Sequence, residues 1–455
     1  MRPSVAVTAL ALLVARHAGA QSVDVYRAKR FVRQISADPF AGTAGSEADT
    51  QVEPDIAIDP NDASIVVAVV QQGRFDSNGA SVDPGFATSQ DGGRSWTAGN
   101  LPGLTVAVGG AFERASDPAV AIGPDGSVYA EALLVDVTDC RSAVSVLRSD
   151  DHGLTFGAPV LVEDDSACAL FNDKSWIAVD TFTGSPHFGR IYAAWDRIDS
   201  TAGSAPTLLR FSDDRGATWS ALVTVSDPAV GTVGALPVVQ PNGDVTVVYD
   251  LYGPPTGEVA QTSHDGGAHF DAPVTIGTIQ SSGVPDMRTG AGLPAAAVDP
   301  ITGALYTVWT DGRFRSDGRD DIVLSTSTDG GTSWGPLRVV NPFRLGDEVS
   351  HFTPAVAAHG GAALVSYRTR RSDSRRVDMR YVASSDGGST FSRERRLGRN
   401  TDLDRAAIAG GRPFLGDYMG LAASATAAHA VWCVASGAGL AGTHHQTTWS
   451  ATLLR

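Results

Sequence analysis

Six aspartates recur in one phrase, Ser-x-Asp-x-Gly-x-Ser/Thr/His-Trp/Phe, and they are the first candidates for chemistry. They are Asp91, Asp151, Asp214, Asp265, Asp329 and Asp386, spaced 51 to 64 residues apart. Repeated carboxylates could bind calcium or catalyse proton transfer, but either role needs several of them converging on one point. One carboxylate per unit at a near-constant period instead places each in its own structural unit. The phrase therefore reads as a hairpin turn. Its carboxylate and hydroxyl bond local backbone N–H groups, its glycine supplies positive φ, and its aromatic turns back under the neighbouring strands.

The elements around these turns repeat as well. Upstream of each phrase stand two apolar runs joined by an Asp/Pro/Gly turn, as in Pro54 to Pro60 followed by Ile65 to Val70, or Pro118 to Pro124 followed by Val128 to Ala130. Each reads as a pair of buried strands. A seventh copy, Gly416 to Ala422 then Ala428 to Val434, is followed by a strand at Thr447 to Leu454 but has no turn phrase. Its missing strand can come from Val23 to Tyr26 and Phe31 to Ile35, which closes the array and removes exposed sheet edges. The expected fold is an all-β propeller of seven four-stranded blades, each written inner, second, third and outer strand with the turn phrase before the outer strand. Six blades is the alternative, if the first or last unit is partial.

The turn phrase resembles the Asp box, or BNR repeat, of the sialidase superfamily, and the resemblance covers essentially all of residues 21–455. Phe171 to Trp176 and Phe414 to Gly420 resemble phrases of exported bacterial sialidase-like proteins. In such a propeller the turn phrases lie on one face. The inner-strand entries and the loops after the second strands lie on the other, around the central channel. Glu53, Asp117, Asp173, Lys174, Asp286, Arg288, His351, Asp417 and Tyr418 are at entries; Arg74, Arg197, Arg313, Arg368 and Arg370 follow second strands.

The resemblance implies a tyrosine nucleophile assisted by a glutamate, an aspartic acid/base and three arginines holding a substrate carboxylate. It points to Tyr418, Glu53 and Asp117 as the catalytic set. Arg74, Arg197, Arg313 and Arg368, with Lys174, become the substrate-binding candidates. The Arg-Ile-Pro phrase of that family's first inner strand is absent, and Glu53-Pro54-Asp55-Ile56 stands in its place.

Residues 1–20 join a basic start at Arg2 to an apolar run from Val5 to Val14 and a small-residue ending Ala18-Gly19-Ala20, the pattern of a cleavable secretory signal. A secreted or periplasmic, monomeric protein is expected, with residues 21–455 forming one domain. Its 35 basic and 50 acidic residues give a net charge of −15, which disfavours nucleic acid and anionic membranes as partners. No run is long enough to insert into a bilayer.

In an oxidising compartment Cys140 and Cys168, which bracket one turn phrase, are candidates for a disulfide, leaving Cys433 in an apolar strand. His444-His445 has no third ligand at a metal-like spacing, and neither metal nor cofactor is expected. Three functions remain open: an exo-α-sialidase-type glycoside hydrolase acting on a glycan or glycoconjugate, a non-catalytic propeller binding a glycan or protein, and a hydrolase using two carboxylates.

Overall fold

The structure is a computed structural model that describes residues 25–455 apart from 27, 78, 254–255, 343–347 and 438–443. The expected signal segment 1–20 lies outside the described residues. The chain is almost wholly β, with two three-residue 3-10 turns at Val106–Val108 and Leu403–Arg405. No helix among the described residues is long and apolar enough to cross a membrane.

Among the described residues the strands form seven four-stranded antiparallel units, the first two joined by the single bridge Ser81 to Ala115, with Thr401–Asp402 added to the sixth and a separate hairpin of Ala407–Ala409 and Arg412–Phe414. The first unit shows the pattern: inner strand Gln51–Ile58, then Val66–Arg74, Ser81–Ser89 and outer strand Thr97–Asn100. Each inner strand touches the next, and Gly420–Ala423 of the last unit returns to Gln51–Ile58, which closes the ring. The last unit takes its outer strand from the N-terminal side of the chain, where Ala28–Gln34 pairs with Gln446–Leu454. The sheets are therefore arranged as the blades of a propeller.

Second strands such as Val66–Arg74 and Val128–Val135 are buried along their whole length. They are covered on both faces by adjoining blades, which is why they read as continuous apolar runs rather than alternating ones. Trp195, Trp309 and Trp432 occupy second strands of three blades and are 0 to 1% exposed, filling the space between sheets.

All six turn phrases join third to outer strands and share one hydrogen-bond scheme. In the third, Ser212 Oγ donates to Asp214 Oδ1 (2.8 Å), Gly216 N donates to Ser212 Oγ (2.9 Å), and Thr218 N donates to Asp214 Oδ1 (2.8 Å). The Thr218 hydroxyl donates to the second carboxylate oxygen. Gly216, at φ +81, takes a conformation that a side chain would strain. Asp214→Asn should therefore cost about 1 kcal/mol of stability and leave ligand affinity unchanged. Denaturant unfolding beside a binding titration checks this, and lost binding at unchanged stability would contradict the structural role.

Cys140 and Cys168 are bonded to each other, with Cα atoms 4.8 Å apart. The bond ties the loop after the second blade's second strand to the entry of the third blade. Cys433 is buried, its sulfur 3.8 Å from the Thr448 hydroxyl.

Candidate functional site

Each blade delivers the entry of its inner strand to the channel mouth, and most of these entries carry the same irregularity. Register slips between Val52 and Asp55, Ser116 and Ala119, Asp173 and Trp176, Val233 and Leu236, and Phe352 and Ala355. In every case the bulged residue has positive φ: Glu53 (56°), Asp117 (44°), Lys174 (50°), Gly234 (82°) and Thr353 (47°). A bulge re-aims one side chain out of the strand's alternation. Non-glycine residues in this region cost about 1–3 kcal/mol each and concentrate where function requires them. Three of the five bulges carry ionisable groups, and these come from consecutive blades.

Glu53, Asp117 and Lys174 meet in a cleft of about 430 Å³, together with Asp173, Asp417, Arg74 and Arg288. A hydrogen-bonded chain links the first two. Gln71 Nε2 donates to Glu53 Oε2 and reaches Ser116 Oγ at 3.1 Å, and Ser116 Oγ donates to Asp117 Oδ2 at 3.0 Å. On its other oxygen Glu53 accepts the backbone N–H of Asp417 (3.0 Å). The Lys174 ammonium lies 3.7 Å from Asp117 Oδ1. Arg288 is paired with Asp417 at the half-open rim.

The last blade closes against this set through two glycines. A Cβ at Gly416 would come within 2.8 Å of the Glu53 backbone nitrogen, and one at Gly420 within 2.6 Å of the Ile56 nitrogen. Only glycine permits this backbone approach, which accounts for the spacing in Phe414-Leu-Gly-Asp-Tyr-Met-Gly420.

Burial disfavours charge on the carboxyls of the cleft. Burial first, then the neighbouring charges of Asp117 and Asp417, push Glu53 up to about 8. Burial, then Asp117, pushes Asp173 up to about 7. The cleft thus favours the protonated form of Glu53, beside Asp117, which meets the Lys174 ammonium.

Tyr418 sits below the cleft in a narrow axial channel of about 70 Å³, with Lys174, Trp176 and Asp55 also in its wall. The Lys174 ammonium rests 3.4 Å from the centre of the Tyr418 ring, and Trp176 meets that ring edge-on at 5.3 Å. Its hydroxyl donates to the Pro118 carbonyl (3.0 Å), and burial first, then Asp117, raises its pKa well above the usual tyrosine value. Glu53 and the Tyr418 hydroxyl come from adjacent blades, as ring closure predicts, but their hydrogen bonds go to other partners.

The four second-strand arginines do not gather. Arg74 alone among them lines the cleft, stacked on Phe414 at 4.7 Å and donating to the Ile408 and Phe75 carbonyls. Arg197 lies near Glu163 (3.8 Å) and Asp165 (3.7 Å). Arg313 donates to both oxygens of Asp311 (2.8 and 2.7 Å). Arg368 is 1% exposed and bonds the carbonyls of Leu415 (3.1 Å) and Cys433 (3.4 Å), with burial lowering its pKa to about 10. Each is engaged within its own neighbourhood, although Arg368 Nε has no hydrogen-bond partner, and no three-arginine clamp forms from them.

The sequence reading missed Gln71 and Ser116. Gln71 did leave a signal, being polar in the otherwise apolar run Val66 to Val70 that continues into it. His444 and His445 contact the Ala406 carbonyl (2.7 Å) and Asp49, and the described residues contain no cluster of three metal-ligating side chains.

No protein-family model matches the sequence, and no curated protein matches it. Solved structures do match. The α-L-arabinanase of Penicillium chrysogenum complexed with arabinobiose superposes at a TM-score of 0.50 with 15% identity, over 75% of this chain and 94% of that one. The sialidase of Trypanosoma rangeli in complex with sialic acid gives 0.50 and 14%, over 81% of this chain and 59% of that one. The endosialidase of phage phi92 gives 0.50 and 10%, over 93% and 69%. At these identities the likeness establishes the fold, a β-propeller of the sialidase type.

Proposed function

We propose that this protein is an exported glycoside hydrolase that cleaves an uncharged glycosidic unit with two carboxyl groups, Glu53 as general acid and Asp117 as general base. The observation that carries this reading is the meeting of Glu53 and Asp117 in the channel-mouth cleft, linked through Gln71 and Ser116, with burial raising the Glu53 pKa to about 8. Gln71 and Ser116, bonded in series between the two carboxyls, keep them from bonding each other directly, as a mechanism with one acid and one base requires. Glu53 gives its proton to the glycosidic oxygen as the C–O bond breaks. Water attacks the anomeric carbon from the opposite side and passes its proton to Asp117, giving a product of inverted configuration. Phe171, 38% exposed on the cleft wall, offers an apolar surface for a sugar ring.

Export is part of the proposal, supported by the signal-like residues 1–20 and by the Cys140–Cys168 bond. The α-L-arabinanase with this fold is complexed with a neutral disaccharide. An exo-α-sialidase activity, the finer alternative, would require cations around a substrate carboxylate and Tyr418 as nucleophile. Of the cations in the cleft, Arg288 is engaged by Asp417 and Lys174 by Asp117.

Hydrolysis of a panel of neutral furanosides, neutral pyranosides and sialosides, by wild type and Tyr418→Phe, tests the reading. Turnover of a neutral glycoside is expected, and Tyr418→Phe should keep at least about a third of it, because one neutral hydrogen bond to Pro118 is lost. Abolished turnover in Tyr418→Phe, or activity confined to sialosides, would return the mechanism to the tyrosine nucleophile. A wild type inert on every glycoside but able to bind one would make the protein a glycan-binding propeller.

A further inference from the structure

A second site lies on the side of the sixth blade. Residues 368–405 contain eleven arginines and six carboxylates, a surplus of five positive charges in a chain whose net charge is −15. The fold does not scatter them. The third strand of this blade, Arg376–Ser384, is covered by two short strands, Arg395–Arg396 opposite Arg380 and Tyr381, and Thr401–Asp402 opposite Arg376 and Val377. A groove of about 1100 Å³ is left between this edge and the end of the fifth blade at Val340 to Pro342.

Among the described residues, the charged groups facing the groove are Arg371, Arg376, Arg380 and Arg393 against Asp378 and Glu394. Both carboxylates are already engaged from within. Glu394 accepts the Tyr367 hydroxyl at 2.8 Å, and Asp378 is bridged by Arg380 and, at 3.3 Å, by Arg396. Arg371 pairs with Asp373 at 3.3 Å and Arg376 with Asp402 at 3.1 Å, yet each side chain is 58% exposed, and Arg393 is exposed as well. The groove starts at the face that holds the cleft, beside Val349 and Thr369, and runs down the blade toward the turn phrase at Phe391 and Ser392.

From this geometry we infer that the groove binds an anionic polysaccharide, whose carboxylate or sulfate groups are gripped by Arg376, Arg393 and Arg371. Guanidinium forks match planar and tetrahedral oxyanions through paired N–H donors. A groove that presents several exposed cations suits a chain carrying one charge per sugar. The denser charge of nucleic acid would be repelled by the acidic remainder of the molecule. Such a site would hold a charged polymer against the protein while the acidic cleft receives an uncharged unit, and it does not depend on the reaction assigned to that cleft.

Binding of the full-length protein to polygalacturonate and to ι-carrageenan, with dextran and duplex DNA as comparisons, tests this by affinity electrophoresis at low and physiological salt. Wild type should be retarded by one or both anionic polysaccharides and not by dextran, with retardation reduced at the higher salt. Arg376→Glu combined with Arg393→Glu should weaken that binding about tenfold, the loss of one or two charge-assisted hydrogen bonds. Arg376→Lys with Arg393→Lys should recover part of it, and both variants should melt as wild type does. The two polysaccharides distinguish carboxylate from sulfate recognition. No retardation of wild type by either, retardation unchanged in the glutamate variant, or equal retardation by DNA would overturn the inference.

Discussion

Glu53→Gln should lower kcat on a natural glycoside by roughly 10² to 10⁴-fold, the usual contribution of a positioned general acid. Glutamine keeps an acceptor for the Asp417 N–H, and a flipped Gln71 amide can meet its new donor, so the cleft should retain its shape. What disappears is the transferable proton. The loss should therefore be much smaller on aryl glycosides, whose leaving groups depart without protonation. In wild type the rate should fall as pH rises through about 8, where Glu53 ionises, and this limb should be missing from the variant. Steady-state kinetics against leaving-group pKa and pH provide the check. An equal loss on all leaving groups, or none, would remove Glu53 from the acid role.

Stability should peak in mildly acid solution and decline strongly toward pH 8. Burial raises Asp55 and Asp250 to about 7 and Asp83 to about 8. Glu131 and Glu258, fully buried, are likewise raised well above the usual carboxylate range, with burial again the first cause and Asp117 and Asp250 respectively adding to it. Unfolded carboxyls titrate near 4. The folded state therefore binds more protons between about 4 and 8, and the stability these groups contribute is full below 4 and lost as pH climbs through their folded values.

The turn aspartates act in the opposite direction. The Thr218 hydrogen bonds lead in holding Asp214 down to about 2, so its contribution is present above about 4 and lost as pH falls through 2. The two slopes together set the optimum.

Glu131 isolates the first effect. Neither of its carboxyl oxygens has a hydrogen-bond partner, and it lies in the middle of the second blade's second strand. Glu131→Gln removes the titration while keeping the shape. Its Tm should approach or exceed that of wild type as pH rises from 5 to 8, by up to about 1.4 kcal/mol per pH unit of separation. A constant Tm difference across that range would show that Glu131 does not titrate with folding.

Local chemistry was enough to write the array. Ser-x-Asp-x-Gly is a turn because each of its bonds closes within five residues, and the paired apolar runs can only be strands buried between sheets. The entries of the inner strands were legible for the same reason, so Glu53, Asp117 and Lys174 could be named before any coordinates. Their meeting in one cleft follows from cyclic closure, which the seventh phrase already implied.

The arginines could not be sorted in that way. Arg74, Arg197, Arg313 and Arg368 occupy similar places in their repeats, yet where each side chain goes depends on strand alternation and on which carboxylate or carbonyl it meets. Arg313 finds Asp311 two residues away, whereas Arg368 turns inward to the carbonyls of the neighbouring blade. The protonation of Glu53 likewise exists only in the assembled ring. Desolvation and the charges of Asp117 and Asp417 come from segments 64 and 364 residues away, and a one-dimensional pattern carries no record of how much water their packing removes.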